Sequence, residues 1–323
     1  MQTGRICLAV ATRDRPKMLR QALLSMCALD DVAKAGVDIL VVENAALSSL
    51  DGTIEEFAGR RVGTSITLLH EPRLGIVHAR NAALDHALAN GYSHLAFIDD
   101  DEVVAPDWLS ELHKAQTERR LDLIGGPVHA FVEEKPCGVL AAALWRGYQA
   151  RVMRVERAAL DRHRRDSDGL IMIATNNWMV DLEFCRKTGL RFDPRYNLSG
   201  GEDSGFYHGA RRLGARTGWT PRAVVSEEIP PERLSVVYQF NRAFDQSVVS
   251  FHRKFETRPR LKWLIVPLSI LYKTLAGGAL LLALPLTLGS SLVGAIRALG
   301  FASGRLAGLF GVQSRHYETT TGR

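Results

Sequence analysis

Cysteine is scarce in this chain: 323 residues include four, Cys7, Cys27, Cys137 and Cys185, and no two form a C-x-x-C pair. That pattern offers neither a zinc knuckle nor a disulfide framework, so the thiols are expected to be buried in a reducing compartment. A long apolar run is missing near the N-terminus, where Ile6 to Ala11 is followed closely by Arg13. Such a run is too short for a signal-peptide core and suits a first strand, which leaves the main domain in the cytosol by expectation. No glycine-rich phosphate loop stands near the start, only Ala11-Thr12-Arg13-Asp14. A nucleotidyltransferase built on an open α/β sheet would normally carry one, so that enzyme class is the weaker alternative. No basic segment interleaved with aromatics and no helix-turn-helix pattern is present, which argues against nucleic acid as a partner.

The composition is ordinary for a globular protein, 46% hydrophobic and 24% charged, in a chain long enough for one large α/β domain with an appendage. Ile6 to Ala11 reads as a buried strand. Asp14 and Pro16 then mark a helix start, with Leu19, Ala22, Leu23, Met26 and Leu29 at helical spacing. The unit recurs: Val37 to Val42 and Ile66 to Leu69 are apolar strands, Val77 to Asn90 is a helix closed by Gly91, and His94 to Ile98 is a fourth strand. Strands alternating with helices imply a mostly parallel, doubly wound sheet, in which ligands collect beyond the carboxyl ends of the strands. Further along, Leu123 to Val132 and Leu170 to Thr175 read as strands, with the Arg-rich stretch Arg146 to Arg165 between them. Asp181 to Lys187 and Asp203 to Leu213 read as helices, and short strands near Thr217 and Val224 close the domain.

Charge is unevenly placed. The net +6 comes from residues 229–323, where 12 Lys/Arg face 4 Asp/Glu. Within this tail, Trp263 to Ile296 carries a single formal charge, Lys273, and is long enough to meet a bilayer but short for two spans. One span would place Arg297, Arg305, Arg315 and Arg323 across the membrane from Arg253, Lys254, Arg258, Arg260 and Lys262, against the positive-inside tendency. A re-entrant or in-plane hairpin broken near Pro285 or Gly289 satisfies both constraints, and an anionic membrane surface suits the basic flanks. A buried helical pair covering the sheet is the alternative. The chain is thus expected to divide into residues 1–255, an α/β domain, and residues 256–323, a basic and hydrophobic membrane-associating region.

The strand Phe97-Ile98 runs directly into Asp99-Asp100-Asp101. Crowded carboxylates repel and call for a cation, and a hard divalent ion such as Mg²⁺ or Mn²⁺ would leave coordination sites for phosphate oxygens. A solvated acidic turn before Pro106 is the plain alternative. Gly200-Gly201-Glu202-Asp203 opens a helix, where a carboxylate can act as general base or simply cap the first turn. Thr12-Arg13 and Glu43-Asn44 end two strands with groups that could bond a nucleotide, and Arg80-Asn81 adds a cation that could equally be a solvated helix charge.

These segments, together and in this order, resemble the family 2 glycosyltransferases of GT-A fold over Ile6 to Phe255, and Gly75 with Ala79-Arg80-Asn81 looks like that family's G-x-x-x-A-R-N segment. Val225-Ser226-Glu227-Glu228 followed by Pro230-Pro231-Glu232-Arg233 looks most like the succinoglycan-type exopolysaccharide enzymes. The resemblance implies a Rossmann-like GT-A fold, a nucleotide-sugar donor and an inverting transfer onto a saccharide or lipid-linked acceptor at the cytoplasmic face of the cell membrane. It implies Thr12, Arg13, Glu43 and Arg80 on the nucleotide side and Asp99 on the ribose or metal. Asp100 is implied as a substrate-binding residue of the acidic run, and Asp101 as a metal ligand. Asp203 is implied as the base, Glu202 on acceptor or sugar hydroxyls, and Asn177 with Trp178 lining the acceptor subsite. Glu43 replaces the usual aspartate, and Ser226-Glu227 stands where many members carry a metal-binding histidine. The non-enzymatic alternative is a membrane-bound sugar-nucleotide-binding protein, which would need no acceptor base.

Overall fold

A computed structural model describes residues 4–30, 36–58, 64–197, 200–256 and 259–313. Arg258, Arg315 and Arg323, invoked above for charge placement, lie outside the described residues. The first strand, β1 (Ile6–Thr12), is buried along nearly its whole length, as a near-continuous apolar run dictates for a central parallel strand. It pairs in parallel with β2 (Val37–Glu43) on one side and β4 (His94–Asp99) on the other, and β3 (Ile66–His70) extends the sheet beyond β2. Alternate residues of β1 feed two cores. Ile6, Leu8 and Val10 pack with Leu19, Leu23 and Met26 of α1 (Pro16–Cys27), whereas Cys7 and Ala9 pack with Val77, Ala83 and Ala87 of α3 (Ile76–Ala89). Helix α2 (Asp51–Phe57) adds Ile54 and Phe57 to the first core.

After β4, the short β5 (Glu102–Val104) leads into α4 (Trp108–Arg119). The stretch read as one strand over Leu123 to Val132 is two, β6 (Leu123–Gly125) and β7 (Val128–Phe131), in different sheets. Gly126 separates them because its backbone passes so close to the Ala223 carbonyl that a side chain there would collide. Next come α5 (Val139–His163), β8 (Asn177–Asp181), α6 (Leu182–Thr188), α7 (Glu202–Arg212), β9 (Thr217–Trp219) and β10 (Val225–Glu228). The main sheet has the order β3-β2-β1-β4-β8-β6-β9 and is mostly parallel, with β8 the antiparallel member; β5, β10 and β7 form a second sheet.

Leu170 to Thr175 is not a strand. Exposure does alternate there, with Leu170 and Met172 open and Ile171 and Ile173 buried, but among the described residues the segment pairs with no neighbour. The 3₁₀ turn Asp168–Leu170 pins its start, because the buried Asp168 carboxylate accepts from Arg119 at 2.5 Å and from the Trp219 N–H at 3.1 Å. The sheet strand begins two residues past the expected end.

Three helices complete the described residues: α8 (Val236–Phe255), α9 (Lys262–Leu282) and α10 (Leu292–Leu309). The break between α9 and α10 contains Pro285 and Gly289, where the sequence placed it. Helix α9 with its preceding turn, and α10, are each long and apolar enough to cross a membrane, but they are covered differently: 11% of the apolar window is buried in the first and 50% in the second. Helix α10 packs on α8 through Gly300, Gly304 and Gly308, where a side chain would strike the Phe240 carbonyl, the Phe244 carbonyl and the Phe251 ring respectively. The glycine stripe lets two backbones approach closely and holds α10 against the protein body.

Candidate active site

The parallel register brings Thr12 level with Glu43 and Ala11 level with Asp99, so three strand ends share one edge of the sheet. A cleft of about 890 Å³ opens there, bounded by this edge, the start of α7, and helices α5, α8 and α10. Thr12, Arg13, Arg80, Asp99, Asp100, Asp101, Glu202 and Asp203 all line it.

Its floor is a network of carboxylates and guanidiniums. Thr12 Oγ1 donates to Asp100 Oδ2 at 2.7 Å, and Arg15 Nη1 donates to Asp100 Oδ1 at 2.8 Å while standing 3.6 Å from Asp101. Arg80, though on a helix, is 4% exposed; it donates to Glu202 and, at 3.0 Å, to Asp99. A buried cation thus ties the acidic turn to the first turn of α7. Burial pushes the Glu202 carboxyl up to about 7 despite Arg80, and Glu202 Oε2 has no hydrogen-bond partner among the described residues. Asp203, half-buried beside it, faces the cleft. Gly201 holds φ +87° at the mouth of α7 and lies against Val249 of α8, two reasons why this position takes glycine.

Glu227, which stands where many members of the resembled family carry a metal-binding histidine, is brought into the network by the second sheet. Antiparallel pairing of β10 with β5 sets Glu227 directly opposite Glu102. Like charges placed across two strands repel. Burial first, then Asp99, Asp101 and Glu227, push the Glu102 carboxyl well above its ordinary range; burial and then Asp101 push Glu227 up to about 7. Arg233 answers part of this charge, donating to Asp101 Oδ2 at 2.6 Å and to Glu227 Oε1 at 2.8 Å. Glu102 itself accepts from the Asp99 N–H at 2.7 Å and from Asn176 Nδ2 at 2.9 Å, fixing the turn.

The metal reading can be tested against this geometry. Among the described residues no three His, Cys, Asp or Glu side chains converge as a preformed ligand set. The chemistry nevertheless fits a hard cation: Asp101 and Glu227 already grip one positive group between them, and burial followed by the neighbouring carboxylates raises the Glu102 and Glu227 carboxyls.

Three expected site residues, Asn177, Trp178 and Glu43, lie away from the cleft. Trp178 and Asn177 do not line the cleft. Trp178 is 2% exposed and lies in an aromatic cluster, stacked on Phe97 at 5.9 Å and edge-on to Phe206 at 4.9 Å. Asn177 is buried, donates to the carbonyls of Pro127 and Ala223 at 2.8 Å each, and accepts from Trp108 Nε1 at 2.8 Å, joining the two sheets. Their neighbours Ala174, Thr175 and Asn176 reach the cleft instead. Glu43 likewise turns away; its carboxylate accepts from Ser48 Oγ at 2.8 Å and from Ser49 Oγ at 2.7 Å, bracing the loop after β2. Asn44 is the cleft residue of that pair, and its Oδ1 accepts from the Gly75 N–H at 2.8 Å. The sequence reading did not pick out Arg15, Glu102, Arg242 or Arg297 for the site. The charge of Arg15, one turn past β1, was the visible signal for the first; tertiary packing alone brings the last two to the cleft.

Residues 7–163 match the profile described as Glycosyl transferase family 2. The succinoglycan biosynthesis protein ExoM of Rhizobium meliloti (strain 1021) is 28% identical over 250 residues, covering 75% of this chain and 73% of that protein. Among solved structures, the S. aureus TarS fragment 1–349 in complex with UDP superposes with a TM-score of 0.52 at 14% identity, covering 95% of this chain and 92% of that one. The mannosyltransferase PcManGT from Pyrobaculum calidifontis, in complex with GDP-Man and Mn²⁺, gives 0.55 at 18% identity, covering 96% and 76%. At these identities the structural likeness establishes the fold: mixed α/β, with a mostly parallel sheet and GT-A-like neighbours.

Proposed function

The chain resembles the family 2 glycosyltransferases, and from that premise we propose that it moves a sugar from a nucleotide-diphosphate donor, a UDP-sugar by preference, onto a hydroxyl of a saccharide or lipid-linked acceptor in exopolysaccharide assembly. The observation that carries this reading is the shared cleft: the acidic turn Asp99–Asp101 and the half-buried Asp203 face one space, with Arg80 bridging the turn to Glu202. Asp203 takes the acceptor proton as the hydroxyl oxygen bonds to the anomeric carbon. The bond from that carbon to the donor diphosphate breaks, the electron pair leaves with the diphosphate, and the configuration inverts. Thr12, Arg13 and Asn44 stand on the nucleotide side, with Arg80 holding Asp99 and Glu202 in place. Asp99 and Asp101, with Glu227, would hold Mg²⁺ or Mn²⁺, which supplies charge neutralisation for the departing diphosphate.

Residues 1–255 are proposed as the catalytic part and residues 256–323 as the part that meets the cytoplasmic face of the membrane. Helix α9 supports this, with Trp263, Leu264, Leu268, Leu271, Tyr272 and Leu275 all more than half exposed. An outward apolar face of this extent marks an interaction surface. Because α10 is fixed to α8, the pair is read as lying along the membrane.

The test is a nucleotide-release assay on the full chain in detergent, with a panel of UDP- and GDP-sugars, a membrane lipid extract as acceptor, and Mn²⁺ or EDTA. Release with one preferred donor, lost in EDTA, supports the reading. A protein that binds nucleotide-sugar yet releases nothing under any condition is a binding protein, and transfer is then ruled out.

A further inference from the structure

The helical side of the cleft carries a cationic cluster that plays no part in the mechanism above. Arg151 of α5, Arg242 of α8 and Arg297 of α10 all line the same space. Arg297 is held in place by amides: Nη1 donates to Gln239 Oε1 at 3.2 Å and Nη2 to Gln246 Oε1 at 2.5 Å. Gln239 is itself 1% exposed and donates through Nε2 to the Arg233 carbonyl at 2.8 Å, so the Arg297 mount is built into the floor. Burial first, then the positive charges of Arg151 and Arg242, push the Arg297 guanidinium down to about 9. A guanidinium that loses proton affinity on folding sits in a field that an incoming anion would relieve. The acids that meet this wall are Asp245 and, at its border with the second sheet, Glu227, which feels the charge of Arg242.

We infer that Arg151, Arg242 and Arg297 form a subsite for the diphosphate of a lipid-linked acceptor. Diphosphate is the class of ligand such a cluster takes, because planar guanidiniums on three separate helices can each donate to different phosphoryl oxygens. The donor also carries a diphosphate, and the UDP arm of the experiment below separates the two. The proposed nucleotide contacts, Thr12, Arg13 and Asn44, follow β1 and β2, whereas the cluster stands on helices. The arginine cluster stands on the helices that adjoin the membrane-facing surface, and α10 packs antiparallel on α9, with Gly277 against Leu299 and Gly294 against Leu280. A head group held at Arg297 leaves its prenyl tail free to run along the exposed apolar face of α9. Arg154, Arg157, Arg162, Arg164 and Arg165 of the same basic stretch are exposed; Arg151 is the one among them that lines the cleft.

This inference rests on the transfer reading for the word acceptor, and the experiment keeps the two apart. The full chain in detergent would be titrated with geranylgeranyl diphosphate, with geranylgeraniol as the uncharged control and with UDP plus Mn²⁺. Expected is a loss of about tenfold or more in prenyl diphosphate affinity for Arg297→Gln, a partial loss for Arg297→Lys, and unchanged UDP affinity. If Arg297→Gln does not fold, as read by its melting curve, Arg151→Gln carries the same expectation, with the exposed Arg154→Gln as control. Wild-type prenyl diphosphate affinity in the glutamine variants, equal affinity for the uncharged prenol, or an equal loss of UDP affinity overturns the subsite. Arginine-dependent binding of prenyl diphosphate by a protein that neither binds UDP nor releases it from a donor supports the subsite while defeating the transfer reading.

Discussion

The two walls of the cleft are charged in opposite senses. At the strand ends, Asp99, Asp100, Asp101, Glu202, Asp203 and Glu227 outnumber Arg13, Arg15, Arg80 and Arg233; on the helical wall, Arg151, Arg242 and Arg297 face Asp245. Burial first raises the carboxyls of Asp99, Asp100, Glu202 and Glu227 on the strand-end wall, whereas burial and then the neighbouring arginines lower the Arg297 guanidinium on the helical wall. The difference teaches that the cleft has a cation-seeking end and an anion-seeking end, built from distant parts of the chain and kept together by the packing of α8 on α10. The transfer proposed above, between two diphosphate-bearing molecules, would use both.

The largest expected effect comes from taking the cation out of the acidic wall. Arg80→Ala leaves the Glu202 carboxyl buried without its partner, and a loss of about 3 kcal/mol in unfolding free energy is expected, measured by urea titration. A loss under 1 kcal/mol would mean that the ion pair does not hold the floor together. Next in size is the joint between the walls. Gly304→Val drives a branched side chain at the Phe244 carbonyl and should cost about 1–3 kcal/mol while loosening α10, read as faster amide exchange over residues 292–309.

A smaller effect concerns pH. Glu202 and Glu227 rise from an ordinary 4.5 to about 7 on folding. Between these values the folded protein keeps protons that the unfolded chain has released, so this contribution to stability is fully present below 4.5 and is lost as pH rises through 7. In EDTA the melting temperature should therefore fall between pH 5 and pH 7.5, and Glu227→Gln should flatten the decline. A melting temperature that climbs over that interval would contradict the raised proton affinities. The smallest expected effect is at the exposed apolar face of α9, proposed above to meet the membrane. Replacing Leu268 and Leu271 of α9 by Ser should leave the melting temperature within about 1 °C and reduce sedimentation with anionic vesicles several-fold, since both side chains are exposed. Unchanged vesicle binding would move the contact elsewhere.

Much of the fold was legible in the sequence because its central strands are buried on both faces and appear as unbroken apolar runs, and because Gly200-Gly201 and Gly91 mark helix boundaries. The strand β8 was missed. Polar residues, Asn177 and Asp181, stand at its two ends, while the alternating Leu170 to Ile173 imitates a half-exposed strand with nothing to pair with. At the site, the acidic turn and Glu202-Asp203 were readable as local runs, and the structure places them around one cleft. Trp178 was misread because a tryptophan beside an asparagine suits a sugar as well as it suits a core, and only the Phe97, Phe192 and Phe206 rings around it decide. Arg297 was read only as a flanking charge of an apolar hairpin. Its place in the cleft depends on the glycine contacts of α10 with α8, a long-range effect that no local pattern encodes.

The most direct test of the central claim follows a radiolabelled sugar from the nucleotide donor into a membrane lipid extract, with wild type and Asp203→Asn side by side and donor binding measured on the same preparations. Label in the lipid phase with wild type, a drop on the order of a thousandfold in the variant, and equal donor binding by both is the expected result. Equal labelling by the variant would remove Asp203 as the base, and donor binding without labelling by either protein would contradict glycosyl transfer to a lipid-linked acceptor.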